Sequence, residues 1–123
     1  MNLQLILLTG TGSFLGGISR YFLSLIIGSK SGFPINTLII NISGCFLIGL
    51  VLGFAEKLDF SNEIKLFLAT GFLGGFTTFS AFSNETFLLL KNGQYSFAAV
   101  YMLLSVLTGL LATGLGYFFV RNA

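Results

Sequence analysis

Residues 71–85 read GFLGGFTTFSAFSNE and interrupt an otherwise apolar part of the chain. This stretch contains three glycines, two adjacent threonines and four phenylalanines, of which Phe79 and Phe82 follow the threonines and are three residues apart. A glycine weakens a helix by about 1 kcal/mol relative to alanine, and threonine hydroxyls compete for backbone hydrogen bonds. The pattern favours a helix that breaks at the depth of the membrane interior. A continuous helix whose glycines serve close packing is the alternative.

The composition indicates an integral membrane protein. Hydrophobic residues make up 54% of the 123 residues and charged residues only 8%. Because soluble domains carry about 25% charged residues, this chain cannot cover a surface that faces water. The length predicts one domain, the single Cys45 excludes an intramolecular disulfide, and a net charge of +2 is too small to indicate nucleic-acid binding. The N-terminal stretch has no basic start and no cleavage site, so we interpret it as mature chain rather than signal peptide.

Short clusters of charge divide the sequence into four apolar spans, each long enough as a helix to cross a bilayer. The predicted spans are residues 3–27, 35–55, 64–90 and 96–120. We therefore expect an all-α membrane protein formed by a single four-helix domain, 1–123. Its third helix is expected to break in mid-membrane, and both termini should lie on the same side.

The basic residues give the chain almost no preferred orientation. Three lie on the side of the termini and two or three on the other, namely Lys57, Lys65 and Arg121 against Lys30, Lys91 and, if it reaches outward, Arg20. Orientation follows an excess of basic residues on one side, so this balance favours dual topology with antiparallel pairing. A biased topology hidden by small numbers is the alternative. Glycines four residues apart allow close helix contact within the chain or between copies: Gly12/Gly16, Gly49/Gly53 and Gly71/Gly75.

The ionisable residues argue against an enzyme and against a proton-coupled transporter. The chain has no histidine, and its four acidic residues lie away from the middle of the spans. Acid–base catalysis needs titratable groups positioned together, and proton-coupled transport needs an ionisable relay inside the membrane. A small multidrug transporter, the second candidate, would need a carboxylate in the first span, which has none. A structural scaffold would not need a polar helix break.

A few polar residues lie within the predicted spans. Arg20 either reaches the lipid headgroups or attracts anions at the mouth of an aqueous vestibule. Asn41 either bonds to a neighbouring helix or turns an amide N–H toward a permeating anion. The fourth span carries one small or polar helix face, typical of protein contact, formed by Tyr101, Ser105, Thr108 and Ala112. Thr113 lies beside this face and could add a hydroxyl to a pore wall.

The break itself predicts two kinds of ion contact. Freed carbonyls can coordinate a small cation, whereas the N-terminus of a half-helix favours anions. Phe79 and Phe82 share one helix face, and their ring edges carry positive partial charge. Ser80 and Ser83 form a parallel stripe of hydroxyls. Packing against lipid or core is the other interpretation of the two phenylalanines, and Glu85 is expected to cap the segment or pair with a lysine.

These stretches resemble the Fluc/CrcB family of small bacterial fluoride channels. The strongest match is GxxGGFTTFSAFSxE from residue 71. A second match is NxxGxFxxG from Asn41, and a third is GxxxGxxxRY from Gly12. The matches cover the first three spans, while the fourth span agrees only in hydropathy and small-residue content.

The resemblance implies a passive, fluoride-selective channel in the bacterial plasma or inner membrane that limits fluoride accumulation. It implies an antiparallel dual-topology homodimer with two pores along the interface. A central structural sodium ion is expected on the backbone carbonyls of Gly74 and Thr77. By motif position, the anion pathway would be formed by Phe79, Phe82, Asn41, Ser80, Ser83, Thr113 and Arg20.

Overall fold

The structure, a computed structural model, describes residues 1–29 and 31–123, which form helices joined by short turns. The α-helices follow in the order α1 (Leu3–Ile27), α2 (Ile35–Lys57), α3 (Asn62–Lys65), α4 (Gly74–Phe76), α5 (Phe79–Lys91) and α6 (Tyr95–Arg121). A π-helical segment, Leu66–Leu73, joins α3 to α4. The helices begin and end close to the bounds predicted from hydropathy.

Within the described residues, three helical stretches are long and apolar enough to cross a membrane. They are α2, α6 and the 30 residues Asn62–Lys91, which run from α3 to the end of α5. The prediction of an all-α, multi-pass membrane protein with a broken third span is therefore confirmed. Helix α1 has 25 residues but is less apolar, since it contains Arg20 and several glycines, serines and threonines. That α1 also crosses the membrane stays a prediction.

The ends of α1 follow from local sequence. The helix begins after Asn2, whose side chain accepts a hydrogen bond of 3.0 Å from the Gln4 N–H. Such a side-chain cap satisfies an N–H that has no partner inside the helix. The helix ends at Gly28, which has φ of 65° and donates its N–H to the Ser24 carbonyl at 3.0 Å. Glycine adopts this backbone conformation without steric cost and so stops the helix there.

Glycines allow the helices to pack in two close pairs. Helix α1 lies along the π-helical segment and α4, and α2 lies along α6. A Cβ on Gly12 would lie 2.6 Å from the Phe67 carbonyl oxygen, and one on Gly53 would lie 2.8 Å from Val120 Cβ. The same is true of Gly71, where the Thr9 carbonyl oxygen would lie at 2.9 Å. The predicted glycine pairs therefore serve contacts within the chain.

The side chains bury two small cores and leave a large apolar surface. Tyr101 and Ala98 are fully buried beside Leu38 and Leu89. The second core joins α2 to the third span through Ile40, Leu73 and Phe76. Most large apolar side chains point outward, as along α6 at Leu103, Leu107, Leu110 and Leu111. An apolar surface this extensive suits lipid rather than water.

Replacing Gly116 by alanine should destabilise the α2–α6 pair. The added methyl group would meet the Phe46 carbonyl oxygen and lie 3.0 Å from the Leu50 nitrogen. Overpacking of this kind costs about 1–3 kcal/mol, which should lower the thermal unfolding midpoint in detergent. The matched control is Gly114→Ala on the same helix, because a Cβ there would have no described atom within 4 Å apart from the backbone of its own helix and its two chain neighbours. Equal midpoints for the two variants would contradict this packing.

Candidate functional site

The third span breaks at two adjacent threonines. Thr77 has φ and ψ of −90° and 158°, and Thr78 has −148° and 114°, so both are extended. In an uninterrupted helix the Thr78 N–H would donate to the Gly74 carbonyl, and the Phe79 N–H to the Gly75 carbonyl. The extended residues turn these groups apart, and α5 restarts at Phe79. Because there is no water in a bilayer interior to replace the lost bonds, other parts of the chain must supply the partners.

Asn41 of α2 supplies partners to the peptide groups of Thr78. Its Oδ1 accepts from the Thr78 N–H at 2.9 Å, and its Nδ2 donates to the Thr78 carbonyl at 3.2 Å. This bidentate contact ties α2 to the break. A carboxamide nitrogen has two hydrogens, so one N–H remains for another acceptor. The predicted role of Asn41 in an anion pathway is compatible with this geometry and stays a prediction.

Arg20 and Ser13 of α1 bond to carbonyls on the opposite side of the break. Arg20 Nε donates to the Gly75 carbonyl at 3.2 Å, and the Ser13 hydroxyl donates to the Gly71 carbonyl at 3.3 Å. Arg20 is half-buried rather than fully exposed. The structure therefore directs Arg20 toward the helix break.

The two carbonyls expected to hold a cation lose their helical partners. The Thr78 N–H, which would serve Gly74, bonds to Asn41. The Ala81 N–H, which would serve Thr77, donates to the Thr78 hydroxyl at 3.1 Å. Among the described residues no group of three or more His, Cys, Asp or Glu side chains could hold a metal. The oxygens that the described residues of this region offer to a cation are therefore backbone carbonyls and the hydroxyls of threonine and serine.

An open groove of about 380 Å³ runs beside the break. Helices α2, α5 and α6 and the segment before the break contribute to its lining: Asn41, Gly44, Cys45, Ile48, Ala69, Leu73, Gly74, Thr77, Thr78, Phe79, Phe82, Ser105 and Val106. The groove brings together five of the predicted site residues: Asn41, Phe79, Phe82, Gly74 and Thr77. It also adds Cys45 and Ser105, of which only Ser105 lay on a face that the sequence pattern had indicated.

The two phenylalanines differ in their surroundings. Phe79 is 80% exposed, and its ring centroid lies 5.6 Å from that of Phe82, with an interplanar angle of 43°. Phe82 packs against the buried Tyr101, at a centroid distance of 5.1 Å and an angle of 53°. Phe82 is therefore held by the core, whereas Phe79 projects from the first turn of α5.

The four other predicted site residues do not line the groove. Arg20 lies on the α1 side of the break, as described above. The Ser80 hydroxyl lies 3.2 Å from that of Thr78, and Ser83 is exposed. Thr113 donates to the Cys45 carbonyl at 3.0 Å and is also 3.2 Å from the Gly109 carbonyl. Thr113 thus joins α6 to α2, and a role for it in a pore wall stays a prediction.

Glu85 takes part in a contact that the sequence did not reveal. Its Oε1 accepts from the Thr37 hydroxyl and its Oε2 from the Tyr101 hydroxyl, both at 2.6 Å. Among the residues that the structure describes, the partners of Glu85 are therefore two hydroxyl groups rather than a lysine. These partners lie 48 and 16 residues away along the chain, on two other helices. No spacing rule could have found them, and only the packing of α2 and α6 against α5 brings them together.

Comparison of the sequence with known proteins finds a matching family and named relatives. Residues 7–117 match the family model described as CrcB-like protein, Camphor Resistance (CrcB). A protein of Ruminiclostridium cellulolyticum named fluoride-specific ion channel FluC is 51% identical over 108 residues, with 83% of each chain covered. Proteins of the same name from Azobacteroides pseudotrichonymphae and Oceanobacillus iheyensis are 41% and 44% identical. The first alignment covers 94% of both chains, and the second covers 96% of this chain and 90% of the relative.

Replacing Asn41 by leucine should destabilise the helix break. The change removes both bonds to Thr78 and leaves a partly buried peptide N–H without its partner, at a cost of about 1–3 kcal/mol. We expect a lower thermal unfolding midpoint and faster deuterium exchange in a peptide that covers residues 76–82. The matched control is Ser43→Ala, since within the part of the chain that the structure describes the Ser43 hydroxyl bonds only to the Ile39 carbonyl of its own helix, at 2.7 Å. If the Asn41 variant were as stable and as protected from exchange as this control, Asn41 would not be what holds the helix break.

Proposed function

Since this chain belongs to the CrcB family, we propose that it is a fluoride-selective channel through which fluoride leaves the cell passively. The family is one of ion channels rather than enzymes, and the names of the relatives supply the ion. The observation that carries the proposal is the groove in which Asn41, Phe79 and Phe82 meet beside the broken helix.

The chemistry of this groove suits a small anion. Fluoride is strongly hydrated, so a pore must replace much of its water shell without holding the ion too tightly to leave. The ring edges of Phe79 and Phe82 carry positive partial charge, and Asn41 retains one amide N–H beyond its bond to Thr78. The Ser105 hydroxyl lines the same groove. These are neutral donors, which attract an anion more weakly than a fixed cation would.

Passive flow would limit the accumulation of fluoride in a bacterial cell. Fluoride enters as the neutral weak acid and dissociates inside, so an anion leak in the plasma or inner membrane limits its accumulation. The sequence has no histidine and only four acidic residues, and Glu85 already accepts two hydroxyl bonds. Neither feature suggests a proton relay that would couple transport to an energy source.

A second copy of the chain would complete the site. Gly74 is exposed, and the groove beside it is open. Backbone without helical partners is tolerated at membrane depth only where protein buries it or where it lines a water-filled cavity. We therefore propose an antiparallel dual-topology homodimer in which the two breaks face each other and two pores run along the interface.

The carbonyls of Gly74 and Thr77 fit the proposed structural sodium ion. Both carbonyls have lost their helical donors to Asn41 and to the Thr78 hydroxyl, and both residues line the open groove. Oxygen ligands suit hard cations, and a homodimer would supply each carbonyl twice. The bound ion would offset the negative ends of these carbonyl dipoles and stabilise the contact between the two breaks.

Fluoride efflux from proteoliposomes, followed with an ion-specific electrode, tests the proposed function. We expect the wild-type protein to release fluoride and to retain chloride. Phe79→Ile and Phe82→Ile should each slow fluoride by at least about tenfold, because an aliphatic side chain has no positive ring edge. The control is Phe118→Ile, which replaces an exposed phenylalanine on α6.

Three outcomes of this assay would contradict all or part of the proposal. Absence of fluoride efflux from the wild-type protein would contradict the function itself. Equal rates for chloride and fluoride would contradict selectivity. Unchanged flux in both phenylalanine variants would contradict only the role of the ring edges.

Replacing Thr77 by alanine should leave a carbonyl-based sodium site intact. The substitution keeps the Thr77 carbonyl, and the hydroxyl that it removes donates its hydrogen to the Leu73 carbonyl at 3.0 Å. We expect fluoride efflux from Thr77→Ala proteoliposomes to depend on sodium as in the wild type when sodium is replaced by a large organic cation. Loss of that dependence in the variant would show that the hydroxyl or its local conformation matters more than the carbonyl.

A further inference from the structure

We propose that Arg20 is a positioning residue that caps the end of the first half of the third span and so fixes the geometry of the helix break. In this role the Nε–H donor matters more than the attraction of the positive charge for passing anions. The inference concerns the break itself and holds whichever ion passes beside it.

The first step of the argument is the state of the Gly75 carbonyl. In a continuous helix it would accept from the Phe79 N–H, but the extended Thr77 and Thr78 carry that group away. The Nε of Arg20 takes the vacant position at 3.2 Å. A carbonyl left without a donor in a partly buried site would carry the full cost of its desolvation.

The second step is the face of α1 from which Arg20 projects. Ser13, Gly16 and Arg20 follow one another at intervals of three and four residues and so share one helix face. A Cβ on Gly75 would lie 3.0 Å from the Ser13 Cα, and one on Gly16 would lie 2.9 Å from the Phe76 nitrogen. The two backbones therefore touch just before the break, and Arg20 lies one turn beyond that contact.

The third step is electrostatic. The carbonyl end of a helix carries negative partial charge and is stabilised by a cation nearby. A guanidinium group within a membrane protein needs a polar partner in return. The bond from Arg20 to Gly75 meets both requirements, while Asn41 holds the Thr78 peptide from the side of α2. The break is thus held from two helices.

Three substitutions separate the donor from the charge. Glutamine places its Nε2 at the same number of bonds from Cα as the arginine Nε, so Arg20→Gln keeps a donor and loses the charge. Arg20→Met has the same length and no donor. Arg20→Lys keeps the charge, but its nitrogen lies one bond further along the chain.

The first measurement is deuterium exchange in a peptide covering residues 76–82, by mass spectrometry of the full-length protein. We expect Arg20→Met to exchange about tenfold faster than wild type, in keeping with the loss of a hydrogen bond from a charged donor. Arg20→Gln should exchange more slowly than Arg20→Met, because its neutral amide still donates to the Gly75 carbonyl. This readout does not depend on conduction, so it remains decisive even if the wild-type protein carries no fluoride.

The second measurement is fluoride efflux at low and high ionic strength. We expect Arg20→Met to conduct more slowly than Arg20→Gln, by the same factor at both salt concentrations. An attractor of anions in solution would act differently, because salt screens charges beyond about 10 Å at 0.1 M. If Arg20 acted by attracting anions, loss of its charge would slow efflux most at low salt, and Arg20→Lys would preserve efflux.

The proposal is overturned if Arg20→Gln behaves as Arg20→Met in exchange, including the case in which both fail to fold. It is also overturned if all three variants exchange as wild type does. Preserved exchange combined with a salt-dependent loss of efflux in both neutral variants would assign Arg20 to anion attraction instead.

Discussion

Every feature of this protein depends on one constraint, which is that a backbone broken at membrane depth must find hydrogen-bond partners within protein. Two side chains from different helices supply some of these partners. Asn41 of α2 binds both polar groups of the Thr78 peptide, and Arg20 of α1 binds the Gly75 carbonyl. Without them, the two extended threonines would leave unpaired polar groups in an apolar medium, and a continuous helix would be favoured.

The close packing of the helices makes these two contacts possible. Glycines let α1 lie against the segment before the break and let α2 lie against α6. The side chains of Asn41 and Arg20 then reach the break from opposite sides. The redirected N–H groups leave Gly74 and Thr77 with carbonyls suited to a cation, while α5 begins with Phe79 and presents ring edges suited to an anion. The proposed cation site and the proposed anion pathway would thus both follow from one local rearrangement of the backbone.

Much of this architecture could be predicted from residue types. The apolar spans, a helix break ahead of Phe79 and the shared helix face of Phe79 and Phe82 all follow from composition and spacing. The partners of Glu85 could not be predicted, because Thr37 and Tyr101 lie on other helices at separations that match no local pattern. The same reason explains Thr113, whose hydroxyl bonds to the backbone of α2 rather than facing the groove.

The sequence by itself determined that the chain is helical, lies in a membrane and interrupts its third span, because hydropathy and helix propensity are local properties. It also carried the motifs of the CrcB family. Only the tertiary structure decided which neighbour satisfies each group released by the break, because that depends on the rotation and approach of whole helices. Asn41 and Arg20 were recognisable as unusual polar residues in apolar spans. That they hold the Thr78 peptide and the Gly75 carbonyl is a consequence of packing.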